Sequence, residues 1–234
     1  MPPLTTAQRR AHYDDFVTDI IDLCAVNGVR AALASGRGRP VEHCARMRSY
    51  LVARIGPFGA RRAHYTIASL IAEQRDLHRQ HGPYRPETAL PHSASTAGDA
   101  LRTDTPDGLE TGASDDAAAD ADESTSSPGQ DTNGRAWRAR PNLGTSLALA
   151  VTRHGFKQNR MDEQMKILIR LPTSLLHPRL WTLASHLNSR GAARLDFAVL
   201  LADLAWWDDN RLHIATRWHE QYFQTLDLLD HQEN

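Results

Sequence analysis

The chain has 234 residues, 41% of them hydrophobic and only 6% aromatic, and a formal net charge of −1. That is enough for one large or two small globular domains, and the absence of any run of about 18 apolar residues excludes a helical membrane span. The polar start MPPLTTAQRRAHYDD lacks a signal-peptide core. The two cysteines, Cys24 and Cys44, have no zinc-site spacing, so they read as reduced core thiols of a cytoplasmic protein without a metal.

The first elements read as helices. Thr5 and Gln8 have capping-box spacing, and Tyr13, Phe16, Val17, Ile20 and Cys24 follow at steps of three and four until Gly28 ends the run. A second helix carries Cys44, Met47 and Leu51 and stops near Gly56-Pro57. A third carries Ala63, Ile67, Leu70 and Ile71.

The pattern then breaks. Residues 83–136 are rich in Gly, Pro, Ser, Thr and Asp and nearly free of large apolar side chains, so they cannot bury enough surface to offset their ordering entropy. They are expected to form a long, acidic, disordered linker. Pro91 to Gly134 holds ten acidic residues and one basic, whereas the remainder holds 26 basic against 18 acidic, a net of +8. The near-neutral total therefore conceals two basic parts around an acidic segment. That segment serves either as a plain tether or as a competitor with nucleic acid for the basic face.

Helical periodicity returns afterwards. Asn142 caps a helix bearing Leu143, Leu147 and Val151, and Asn159 caps one bearing Met161, Met165, Leu168 and Ile169. Pro178 suits a first helical position before Leu180, Leu183, Ala184 and Leu187. Asp196 caps Phe197, Leu200, Leu201 and Leu204, and Ile214, Trp218 and Tyr222 mark a last helix. With no alternating strand pattern, the expected class is all-α, with about eight helices in two bundles, 1–82 and 137–234.

Three stretches resemble the CasB-type small subunit of type I-E Cascade, a CRISPR surveillance complex. They are Asn142 to Val151 (NLGTSLALAV), Met161 to Arg170 (MDEQMKILIR) and Leu195 to Trp207 (LDFAVLLADLAWW), the last continuing into RWHEQYFQ. Gly28 to Ala34 (GVRAALA) and Tyr65 to Ala72 match more loosely. The resemblance implies an all-helical, non-catalytic scaffold without cofactor. It implies as partners other Cascade subunits, a second copy of the chain, the guide RNA–target DNA heteroduplex and the displaced single strand. Some members carry basic residues after the tryptophan pair, where this chain has Asp208-Asp209, and their connection between halves is short.

Holding a strand without reading its bases takes a track of positive charge, and all 27 basic residues except Lys157 and Lys166 are arginines, which fork onto phosphates. Arg30, Arg37 and Arg39 surround the loop ASGRGRP, whose glycines suit close phosphate approach, although the same residues read more readily as a solvated loop. Arg153, Lys157 and Arg160 precede the second matched stretch. Lys166 and Arg170 stand four residues apart on one expected face, and Arg170 falls on an arginine of the family motif. Arg190 and Arg194 flank Gly191. Trp206 and Trp207 cannot face the same way, so one is expected in the core. The 12 histidines form no HExxH pattern, and no P-loop or nucleophile elbow is present. The alternative reading is a helical DNA-binding regulator or adaptor outside CRISPR, for which no helix-turn-helix can be placed.

Overall fold

Thr5 starts the first helix with the full capping box: its hydroxyl accepts from the Gln8 N–H at 3.2 Å, and the Gln8 side chain accepts from the Thr5 N–H at 2.8 Å. This computed structural model describes residues 4–74, 137, 139–192 and 195–231. Helix α1 (Thr6–Leu23) buries Tyr13, Phe16, Val17 and Ile20, as its periodicity requires. It stops ahead of Gly28, where the Cys24 N–H bonds back to Ile20 and Ile21. Gly28 lies inside a separate helix, α2 (Asn27–Ala34), at an open position. The glycine is tolerated there at about 1 kcal/mol relative to alanine, which explains why it does not act as a stop.

Helix α3 (Ala45–Ile55) ends at Gly56, whose φ of 48° suits a residue without a side chain. Helix α4 (Arg61–Glu73) is buried at every residue from Ala63 to Ala72. After the acidic segment, Asn142 caps α5 (Leu143–His154) by accepting from the Thr145 N–H at 3.2 Å. Helix α6 (Gln158–Leu168) begins directly after Lys157, ahead of the start that a cap at Asn159 would give.

Helix α7 spans Thr173–Ser189, so Pro178 sits within it and not at its first position. A proline there removes the N–H that would bond to the Ser174 carbonyl. That carbonyl instead accepts from Arg62 of α4 at 2.8 Å, so the missing bond becomes a contact between helices. Asp196 caps α8 (Phe197–Ala205), accepting from the N–H groups of Ala198 and Val199 at 3.2 and 3.1 Å. Helix α9 (Trp207–Asp230) buries Ile214, Trp218 and Tyr222 along its inner stripe.

The described residues are all-helical, with nine α-helices, two short 3-10 turns and no strand. The expected linker over 83–136 lies outside them. Helix α4 is the centre of the packing: it meets α1, α2 and α3 on one side and α7 and α8 on the other. Helix α1 also packs on α8, and α5 on α9. The α5–α9 approach is close because Gly144 has no side chain; a Cβ there would stand 1.9 Å from the Trp218 carbonyl oxygen. One hydrophobic core runs through helices from before and after the acidic segment. No helix among the described residues is long and apolar enough to cross a membrane.

Candidate nucleic-acid interface

The first group of basic residues belongs to the loop after α2. Arg37 and Gly38 both take left-handed backbone angles, with φ of 49° and 67°. The Arg37 N–H donates to the Ser69 hydroxyl at 2.8 Å, tying the loop to α4. A side-chain carbon at Gly38 would stand 2.5 Å from the His177 carbonyl oxygen, and one at Gly36 would stand 2.5 Å from the Met47 sulfur. The two glycines are therefore used to seat the loop against α7 and α3, which accounts for them without a phosphate. The seating leaves Arg37 and Arg39 exposed, and the Arg37 guanidinium lies 5.7 Å from the centre of the Trp181 ring on α7. Arg30 is half-buried on α2 and donates to Asn27 at 3.2 Å.

The second group surrounds the turn between α5 and α6. Gly155, with φ of 66°, ends α5 and reverses the chain, which places Phe156 in the core. Arg190, just beyond α7, stacks its guanidinium 5.1 Å over that ring. The fold thus brings Arg190 beside the turn that carries Arg153, Lys157 and Arg160, all four of them exposed. Lys166 and Arg170 are exposed as well, but α6 ends at Leu168. Arg170 sits in a closing turn, its N–H bonded to the Ile167 carbonyl at 3.1 Å, so the two do not share a continuous helix. Arg194 lies outside the described residues.

Ion pairs among the described residues join Arg54 to Asp19, Arg140 to Asp14 and Asp196, Arg217 to Asp203, and His231 to Asp227. None engages the nine described candidates, whose charge is left for solvent or a polyanion. The tryptophan pair divides as its spacing requires. Trp207 is fully buried, stacks on Trp218 at 5.0 Å and donates to the Leu171 carbonyl at 3.0 Å. Trp206 remains 37% exposed with Arg9 at 4.8 Å over its ring. Asp208 and Asp209 occupy the first turn of α9, where acid is favoured by the helix dipole, and Asp208 also accepts from the Thr173 hydroxyl.

Nothing in the sequence marks Trp181, which lies under the Arg37 guanidinium, or Arg62, which reaches the Ser174 carbonyl of α7. Both come from helices remote in sequence, and only the crossing of α4 and α7 joins them. His177, at the same crossing, has its Nδ1 2.8 Å from the Thr66 hydroxyl. Burial, reinforced by nearby Arg62, pushes it down to about 4, so it is neutral and structural.

The order of capped helices, the Leu195–Trp207 stretch and the buried Trp207–Trp218 stack form one consistent pattern. The model of the family described as CRISPR-associated protein Cse2 matches residues 29–223, most of the chain. The chain belongs to the Cse2 family. Its kinship with the small subunit of Cascade, first visible as a resemblance in three stretches, is thereby shown. Two solved structures share the Cse2-family fold seen here. A chain of a "CRISPR RNA-guided surveillance complex, pre-nicking" matches with a TM-score of 0.65 and 22% identity, covering 96% of this chain and 99% of that one. A chain of a "CRISPR RNA-guided surveillance complex" gives the same score and identity over 97% and 99%. No curated protein matches.

Proposed function

We propose that this Cse2-family chain is a non-catalytic scaffold subunit of type I-E Cascade. In this reading it holds the target strand and the displaced strand while guide RNA opens DNA. The observation that carries it is the set of surface arginines and lysines, unengaged by acids of the same chain among the described residues, on a helical body of the Cse2 family. In this reading the partners are other Cascade subunits, a second copy of the chain, the guide–target heteroduplex and the displaced strand; the similar solved chains, which come from RNA-guided surveillance complexes, support the first of these.

The physical role follows from the charge. Base pairing with the guide reads the target, so the protein has only to hold backbone and keep the displaced strand from re-annealing. Side chains at Arg37, Arg39, Arg153, Lys157, Arg160, Lys166, Arg170 and Arg190 offer phosphate contacts that release counterions and are indifferent to sequence. Arg30 and Arg194 complete the proposed track. The most perturbed histidines, His64 and His177, are each pushed down to about 4 by burial, and they serve the packing of α4 and do not face an open cleft.

The test is to measure target-strand opening by an assembled complex containing Lys166→Glu with Arg170→Glu, after confirming by circular dichroism that the variant folds. Weakened opening is the expected result. Normal opening with normal assembly removes these two residues from the track. A free protein that ignores both single-stranded DNA and the guide-RNA assembly overturns the proposal.

A further inference from the structure

A cleft of about 330 Å³ opens at the junction of α3 and α4, and no residue of the α5–α6 turn lines it. Its polar wall is made by Arg48 and Arg61, both exposed, with Tyr65 buried between the helices at 3% exposure. Its apolar wall is made by buried Ile55 and by Val52, which is 58% exposed beside exposed Arg48 and Ser49. Neither arginine is in an ion pair with a described residue. Glu42 on the rim is the one acid among the lining residues.

We propose that this cleft takes a single nucleotide of a bound strand, its phosphate between Arg48 and Arg61 and its base against Val52 and Ile55. The inference rests on the nucleic-acid-holding reading above and adds to it a site with a defined occupant. Size limits the guest: the volume is at the small end of ligand pockets, roughly 300–1,000 Å³, and admits one nucleotide unit but no duplex. Charge selects its class, because two guanidiniums facing one opening suit a phosphate oxygen pair. The Tyr65 phenol, pushed up by burial against the pull of Arg48 and Arg61, is neutral and has an O–H to donate. At the same end, α4 begins at Ala60 without a side-chain cap and without an acid in its first turn, so backbone donors there add to the positive field. A second phosphate is disfavoured by Glu42. The apolar wall distinguishes the site from a bare phosphate patch, since it offers a base or sugar a surface that free phosphate cannot use.

The experiment titrates the full chain with dinucleotide pdTpdT and, separately, with inorganic phosphate, following chemical shifts or heat. The proposal expects pdTpdT to bind several-fold more tightly than phosphate, and Val52→Asp to abolish that difference. It expects Arg61→Ala to weaken pdTpdT binding and to lower the salt slope for single-stranded DNA by about 0.7, the share of one neutralised phosphate. Val52 and Arg61 are exposed, so these variants are expected to keep the fold even where Arg48→Ala, beside buried Tyr65, does not. Equal binding of phosphate and pdTpdT, or no effect of either variant, overturns the cleft. Should Lys166→Glu with Arg170→Glu weaken DNA binding while Arg61→Ala and Val52→Asp do nothing, the cleft fails and the scaffold reading stands. Should all four substitutions leave single-stranded DNA binding unchanged, both fail.

Discussion

Arg140 and Arg170 show two uses of one residue type. Arg140 lies in the seam where the chain re-enters after the acidic segment, its guanidinium 2.6 Å and 2.8 Å from Asp196 and 2.7 Å from Asp14, and 4.5 Å over Trp137. Arg170 stands exposed on the surface without an ion-pair partner among the described residues. The seam uses its charge to join helices from the two parts of the chain, and the exposed basic set to which Arg170 and Lys166 belong, the basic rim, keeps its charge available. Changes in the seam should therefore act on stability with little salt dependence. Changes on the rim should act on strand binding, steeply salt-dependent, with little effect on stability.

The largest expected effect is on the core around α4 and comes from pH. Burial pushes both His64 and His177 down to about 4 in the folded chain, against about 6.5 when unfolded. His64 donates from Nδ1 to the Ala60 carbonyl at 3.0 Å and meets the His12 Nε2 at 3.1 Å, an arrangement that suits a neutral ring. The unfolded chain takes up protons that the folded chain refuses, so stability is full above about pH 6.5 and falls as pH drops toward 4. Each histidine accounts for on the order of 3 kcal/mol by pH 4. Denaturant midpoints across pH 7 to 4 measure this, and a flat profile would show that these rings accept protons without strain.

Next in size is Arg140→Ala, which leaves Asp196 buried beside Asp14 without their shared cation. The expected loss is about 3–5 kcal/mol, read as a drop in denaturant midpoint. Asp14 is already raised by burial, so part of the penalty is relieved by its protonation below neutral pH. Single-stranded DNA binding by the remaining folded fraction should keep its salt slope, because Arg140 is not on the rim.

The sequence makes the helices legible and the seam illegible, for a physical reason. Capping at Thr5, Asn142 and Asp196 and the buried stripe Ile214–Trp218–Tyr222 are local patterns that no later packing overrides. The misplacements at Gly28, Asn159 and Pro178 occur where a propensity cue is weaker than its surroundings: an open helical site accepts glycine, and Arg62 satisfies the carbonyl that Pro178 orphans. Arg61, Arg62 and Trp181 carry no local signal, since their neighbours are set by helix crossings. Nor does composition distinguish a seam arginine such as Arg140 from a rim arginine such as Arg170; only burial and partners do.

A smaller effect belongs to the rim. Reversing Lys166 and Arg170 together should flatten the dependence of single-stranded DNA affinity on salt by about 1.4, near 0.7 for each phosphate no longer neutralised. Stability should move by less than about 0.5 kcal/mol, as for exposed sites without packing partners. A variant that unfolds earlier yet binds with the original slope would place these residues with the seam.

The smallest effect tests whether the rim's charge is free in the intact chain. Pro91 to Gly134 carries ten acids against one basic residue, while the rest of the chain carries a net +8, so intramolecular attraction competes with a bound strand at low ionic strength. Deleting Pro91 to Gly134 should tighten single-stranded DNA binding a few-fold at about 20 mM salt, where the Debye length exceeds about 20 Å. The gain should vanish near about 0.5 M, where screening removes the competitor and most of the DNA affinity together. Unchanged affinity at low salt would make the segment a plain tether. A gain that persists at high salt would locate its effect in the seam, through the way the chain leaves α4 and returns at Trp137, and not in charge at the rim.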